Sequence, residues 1–232
     1  MGIKQMGPPL SFMVTLQQKF NIKYFVETGT FKGNTAFWAS KHFETVFTIE
    51  NSEKIYKRTK SKFLGVENIS FLFGNSRNKL VDVIDQVSDS AIIWLDSHWS
   101  GGETYGANDQ CPLLEELEII NNSHLRHFIF IDDARLFESP PPPPHDLKYW
   151  PDLVSVINKL QSIPDSFVVI LEDVIICVPN FSRDELVKYC RDVNEVVWKN
   201  SSKFSITKGV KMIVMGMPQD IKKVLKKIVR RK

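Results

Sequence analysis

Glu27-Thr28-Gly29-Thr30-Phe31-Lys32-Gly33-Asn34-Thr35 decides how this chain is read. It follows a short apolar run at residues 24–26 and opens a helix-like stretch at 34–42. A glycine-rich turn between strand and helix lets backbone approach a ligand and aims a helix N-terminus at it. The spacing is G-x-x-x-G, not the G-x-G-x-x-G of dinucleotide turns, so a diphosphate is not the favoured ligand and a nicotinamide oxidoreductase is disfavoured. A tight strand–helix connection with no ligand stays open as the bland alternative.

The same pattern repeats outward from this turn. Short runs rich in β-branched and aromatic residues stand at 45–49, 69–73, 91–95 and 128–131. They lead into Glu50, Gly74-Asn75-Ser76, Asp96 and Asp132-Asp133. Helix-like stretches lie between and after them at 52–64, 78–87, 112–121 and 150–163. Two more strands are read at 167–171 and 174–178, joined at Glu172-Asp173; residues 184–193 are helix-like, and 210–215 is a candidate further strand. Strand alternating with helix predicts an α/β fold: a doubly wound, mostly parallel, seven-stranded sheet with helices on both faces. Ligands bind beyond the carboxyl ends of such strands, which is where the polar residues fall. Residues 1–180 read as the domain, and 181–232 as a C-terminal extension of it. Pro140 to Pro144 cannot be helix or central strand and form a stiff loop.

The chain has 232 residues, 43% apolar and 25% charged, which suits a globular core. No apolar run approaches the ~20 residues of a membrane span, and the first ten residues lack a signal-peptide core. Three widely spaced cysteines with no C-x-x-C pair argue against a disulfide framework and a zinc site, and suit the cytoplasm. The net charge of +3 is unevenly spread. Residues 221–232 hold seven basic side chains and no acid, leaving 23 basic against 27 acidic in residues 1–220. An acidic body does not offer the broad basic face of a nucleic-acid binder. Residues 219–231 have the spacing of a basic amphipathic helix. It either packs on the body or meets an acidic partner or an anionic membrane surface.

The strand-end residues suggest specific chemistry. Glu50 can accept two hydrogen bonds from ribose hydroxyls. Asn75 and Ser76 can meet an adenine edge. Asp96, Asp132 and Asp133 would repel one another at neighbouring strand ends, which a hard divalent cation would resolve. Asp132-Asp133 could instead cap a turn while Asp96 pairs with a basic neighbour such as Arg135. His98 has an ordinary pKa of ~6.5 that suits base work, and packing beside Trp99 is the alternative.

In this order, Glu-x-Gly-x-x-x-Gly-x-Thr, Thr48-Ile49-Glu50-Asn51, Gly74-Asn75-Ser76, Leu95-Asp96-Ser97-His98-Trp99 and Asp132-Asp133 resemble the class I S-adenosylmethionine-dependent methyltransferases. They are most similar to the catechol O-methyltransferase-like, metal-dependent branch, over roughly residues 20–180. The resemblance implies a Rossmann-like methyltransferase fold and methyl transfer to a hydroxyl of a small molecule, such as a sugar, a catechol or a secondary metabolite. It implies that Glu27, Gly29, Phe31, Gly33 and Thr35 wrap the methionine part of the cofactor. Glu50 would hold the ribose, and Asn75 and Ser76 would flank the adenine. Asp96 would lie by the cofactor and, with Asp132 and Asp133, bind Mg²⁺. The lysine that follows Asp-His-Trp in the catechol enzymes is absent: Ser97 is inserted and Ser100 follows Trp99. His98 is therefore the candidate base, with Asp96 the second catalytic candidate. Glu103, Tyr105 and His145 are substrate-contact candidates on the loops that follow. A metal-independent methyltransferase and a non-catalytic scaffold of the same fold stay open, as does an oligomer.

Overall fold

The computed structural model describes residues 6–102 and 104–202. Glu103, the further strand read at 210–215 and the basic stretch at 219–231 lie outside the described residues. In chain order come α1 (Leu10–Phe20), β1 (Tyr24–Thr28), α2 (Asn34–Ala39), β2 (Thr45–Glu50), α3 (Glu53–Lys62), β3 (Ile69–Phe73), α4 (Ser76–Ile84) and β4 (Ala91–Leu95). Then follow α5 (Leu113–Asn121), β5 (Phe128–Ile131), the short α6 (Arg135–Glu138), α7 (Leu153–Gln161), β6 (Ser166–Leu171), β7 (Val174–Pro179) and α8 (Arg183–Ser202).

The seven strands form one sheet in the order β3-β2-β1-β4-β5-β7-β6. Neighbours from β3 to β5 are parallel, and β7 runs antiparallel to both β5 and β6. The expected mostly parallel sheet is therefore present, and β7 is its one reversed strand. β4 is buried at all five positions because helices cover both faces. Its alternation divides the core. Ile93 and Leu95 join Val26, Ile129 and Ile131 in the apolar layer that Leu80, Leu117 and Val156 of α4, α5 and α7 complete. Phe25, Phe128 and Phe130 point to the other face and meet Trp38 of α2, Phe20 and Phe12 of α1 respectively.

Two helices escaped the sequence reading. α1 follows Pro8-Pro9 and buries Phe12, Met13 and Leu16, an apolar stripe too short to stand out before a partner is known. α6 is a single turn. The helix expected from residue 150 starts instead at Leu153, where the Asp152 side chain accepts the Ser155 amide at 2.8 Å.

Residues 1–186 form one compact unit and residues 187–232 a second. The described part of the second is the remainder of α8, laced by Lys188–Asp192 and Glu195–Lys199 pairs and exposing Val196 and Trp198. No described helix is long and apolar enough to cross a membrane. Cys111, Cys177 and Cys190 are all free thiols.

Candidate functional site

The strand order reverses at β1, which lies between β2 and β4. A crevice opens beyond the carboxyl ends at such a switch point. Here it is a cleft of about 810 Å³, open to solvent. Gly29 and Phe31 enter it from the turn after β1, Glu50 from β2, Asn75 and Ser76 from the β3–α4 junction, and Asp96 and His98 from β4. Tyr105 comes from the loop that follows.

The turn is built by close approach. Gly29 and Thr30 donate their amides to the Ile49 carbonyl at 2.9 and 3.2 Å. Gly29 has φ +89°, and a Cβ there would stand 2.1 Å from the Asp96 carbonyl oxygen. Gly33 has φ +70°, and its Cβ would meet Thr59 at 2.6 Å and the Phe63 ring at 2.7 Å. Both glycines are thus required first by protein neighbours.

Glu50 holds the turn. One carboxylate oxygen accepts the Phe31 amide at 2.9 Å, and the other accepts the Ser52 amide at 2.8 Å. Phe31 itself sits at φ +45° with its ring nearly half exposed, an uncommon backbone for an aromatic residue. Asn75 caps α4 by accepting the Arg77 amide at 2.9 Å, which fixes Ser76 at the first turn facing the cleft.

Glu27, Gly33 and Thr35 stand behind the cleft wall. Glu27 is fully buried and accepts the Thr48 hydroxyl at 2.6 Å. Burial, with the charges of Asp96 and Glu50, pushes its carboxyl up to about 8 against the hydrogen bonds from Thr48 and Thr35. The folded protein therefore holds this group neutral at pH 7, whereas the unfolded chain ionises it near 4.5. Folding takes up a proton in that window. The stability that Glu27 contributes is complete below 4.5 and is lost as pH rises toward about 8. Glu27→Gln should flatten this decline, read as urea midpoints at pH about 5 and about 8. An unchanged slope would assign the decline to other groups.

Beside the cleft lies an electrostatic cluster. His98 is buried, with Nε2 2.8 Å from Asp133 and Nδ1 3.8 Å from Asp96. Burial works against its charge, but the Asp133 hydrogen bond and the charges of Asp96, Asp133 and Asp132 outweigh it and raise its pKa. Asp133 moves the other way: burial opposes its charge, and His98 and Arg135 overcome that. Burial and its acidic neighbours push Asp96 up to about 7, against the pull of His98. Burial and Asp133 push Asp132 up to about 6. A raised pKa favours the protonated imidazole, which has no lone pair to take a proton, and this weighs against the base role expected of His98.

The three expected metal ligands do not converge as a set. Among the described residues, the acids whose oxygens lie within 4.8 Å of one another are Asp132, Asp133 and Asp173, without Asp96. Both Asp133 oxygens are engaged: Oδ2 with His98, and Oδ1 with Arg135 Nη1 at 2.7 Å. Asp173 is fully buried and holds Arg135 through both its backbone amide and Nη1. An ion placed there would have to share those oxygens with a guanidinium. The expected Mg²⁺ site therefore does not fit these side chains, and the Arg135 pairing that the sequence left open is present, to Asp133 and not to Asp96.

Several contributors were not anticipated. Ser97 donates its hydroxyl to buried Glu116 of α5 at 2.7 Å, which gives the inserted serine a structural role. Arg77 forms a two-pronged pair with Asp109 at 2.6 and 2.9 Å, tying the glycine-rich loop to α4. No spacing rule links residues 32 positions apart. A second pocket of about 900 Å³ shares His98 and Ser100 with the first and is walled by Trp99, Pro140 to Pro142 and Arg135. His145 also lines it, with its ring against Trp99 and Trp150 and its buried Nδ1 without a hydrogen-bond partner.

No protein-family model and no curated protein matches the chain. Solved structures do. TomG, an O-methyltransferase of Streptomyces achromogenes involved in tomaymycin synthesis and solved with S-adenosylmethionine, aligns at TM-score 0.53 and 12% identity, over 76% of this chain and 82% of that one. A putative caffeoyl-CoA O-methyltransferase from Staphylococcus aureus aligns at 0.53 and 16% identity, over 76% and 86%. The O-methyltransferase of Bacillus cereus, solved with S-adenosylhomocysteine, aligns at 0.53 and 16%, over 75% and 82%. At such identities the likeness is one of fold. The fold is that of the class I S-adenosylmethionine-dependent methyltransferases, and these neighbours are O-methyltransferases.

Proposed function

We propose that this chain is a cytoplasmic enzyme that transfers a methyl group from S-adenosylmethionine to a hydroxyl of a small molecule. The observation that carries the proposal is the cleft: Glu50, Ser76 and Asp96, from three different strand ends, face one cavity at the switch point. Both Glu50 oxygens are already fixed by backbone amides, so the acid is held in place for ribose hydroxyls. Ser76 and Asn75 meet the adenine, and Gly29 and Phe31 bound the methionine part. Bound there, S-adenosylmethionine supplies an electrophilic methyl, whose bond to sulfur breaks as the acceptor O–CH₃ bond forms.

The chain's own residues do the rest. Asp96, the member of this cluster that lines the cleft, favours a sulfonium charge there when it is ionised. The proline-walled pocket seats the acceptor, because it meets the cofactor cleft at His98 and Ser100. The His145 ring walls that pocket, and Tyr105 lines the adjoining cleft from the loop. His98, clamped by Asp133, is a positioning residue. Asp96, raised by burial, takes the acceptor's proton. Holding the acceptor oxygen in line with the methyl supplies much of the rate. Free thiols in all three cysteines support a reducing compartment.

Calorimetry with S-adenosylhomocysteine, followed by transfer of labelled methyl to a panel of hydroxylated acceptors, tests this reading. Absence of binding at millimolar ligand would remove the methyltransferase assignment and favour a scaffold.

A further inference from the structure

We infer that Arg135 stands where the sequence resemblance places a divalent cation, so that this chain's methyl transfer needs no metal. The inference rests on the methyl-transfer reading above for its chemistry, and on geometry for its site. Arg135 is anchored twice. Asp173 Oδ1 accepts its backbone amide at 3.1 Å, and the Asp173 main-chain oxygen accepts the Ala134 amide at 2.9 Å, so the β6–β7 turn fixes the start of α6. Its Nη1 then bridges the carboxylates of Asp133 and Asp173. Asp133, which the expected ion would need, and Asp173, the further acid that closes the cluster with Asp132, are thus already paired with a cation that cannot lose its charge.

The guanidinium also has something to offer the acceptor. Both of its side-chain bonds to carboxylates run through Nη1. The side chain is about one-third exposed (35%) and lines the proline-walled pocket. That leaves Nη2 for an oxygen in the pocket. A charge-assisted donor aimed at the acceptor oxygen stabilises the negative charge that develops as the proton leaves for Asp96. The same task falls to the bound ion in a metal-dependent enzyme.

The test uses the full chain stripped of metal by chelation and titrated with Mn²⁺, with free Mn²⁺ read by electron paramagnetic resonance. It is run with and without saturating S-adenosylhomocysteine. The wild type is expected to bind no Mn²⁺ below about 1 mM in either state. Arg135→Ala, which uncovers Asp133 and Asp173, is expected to gain a site at least about tenfold tighter, and Asp133→Asn added to it should remove that gain. Sub-millimolar Mn²⁺ binding by the wild type that Asp132→Ala weakens would overturn the inference, whether or not the arginine variant folds. So would a folded Arg135→Ala protein with no gained site. Calorimetry with S-adenosylhomocysteine on the same samples judges the methyl-transfer reading separately, since that ligand is held by Glu50 and Ser76 and not by Arg135.

Discussion

Gly29→Ala is expected to abolish cofactor binding and to destabilise the fold by ~2–6 kcal/mol, the range of backbone strain combined with overpacking. Its added Cβ would lie 2.1 Å from the Asp96 carbonyl oxygen, and neither atom can yield alone. Gly29 continues from β1, and Asp96 follows directly on β4, whose neighbouring backbones are locked by parallel pairing from Tyr24↔Ala91 to Thr28↔Leu95. Relief requires the two strand ends to part, and that gap is the floor of the cleft. Gly101→Ala provides the control. Its φ of +88° is nearly the same, but nothing lies within 4 Å of the added carbon. Only the conformational penalty applies there, ~1–2 kcal/mol. Urea denaturation and calorimetry with S-adenosylhomocysteine read both variants. Equal losses in the two would mean that the close approach to Asp96 is not what makes Gly29 necessary.

Glu50→Ala has the second large effect. The alanine strands the Phe31 and Ser52 amides, both part-buried, and removes the acid from the cleft. Bonds to a charged group contribute ~1.5–3 kcal/mol, so cofactor affinity should fall by about 10- to 100-fold. Stability should fall as well, because Phe31 loses the acceptor that holds its left-handed conformation. Glu50→Gln keeps the shape and one acceptor oxygen and should lose less on both counts. If Glu50→Ala lowered stability but left affinity for S-adenosylhomocysteine unchanged, Glu50 would be a clamp for the turn and no part of the site.

These two residues show how far the sequence could be read. The G-x-x-x-G turn was legible as a close approach, but its partner was taken to be a ligand. The nearest atoms belong to Asp96, Thr59 and Phe63, from β4 and α3. Glu50 was legible as a strand-end acid, and its grip on the turn after β1 was not. Glu27, Gly33 and Thr35 belong to the same motif as Gly29, yet they fall behind the cleft wall. Glu27 lies in β1, Gly33 caps α2 and Thr35 stands in its first turn, so one motif spans strand, turn and helix and serves both the site and its support.

The cation cluster marks the same boundary. Asp132-Asp133 and Arg135 were visible as neighbours, but Asp173 was read only as a joint between two strands. The antiparallel return of β7 beside β5 brings it to Arg135, 38 residues away in sequence. Arg77 with Asp109, and Ser97 with Glu116, are likewise pairs made by chain crossings.

Local alternation of short apolar runs and polar strand ends was enough to determine the doubly wound sheet and to put a set of acids at the carboxyl ends of its strands. Buried parallel strands need continuous apolar runs, and ligands need the polar residues at their ends, so both leave a local trace. Which acids face the cleft, which are buried neutral, and which of them pair with Arg135 was decided only by the tertiary structure. Charge balance and burial depend on side chains brought together from distant parts of the chain, and no local pattern records them.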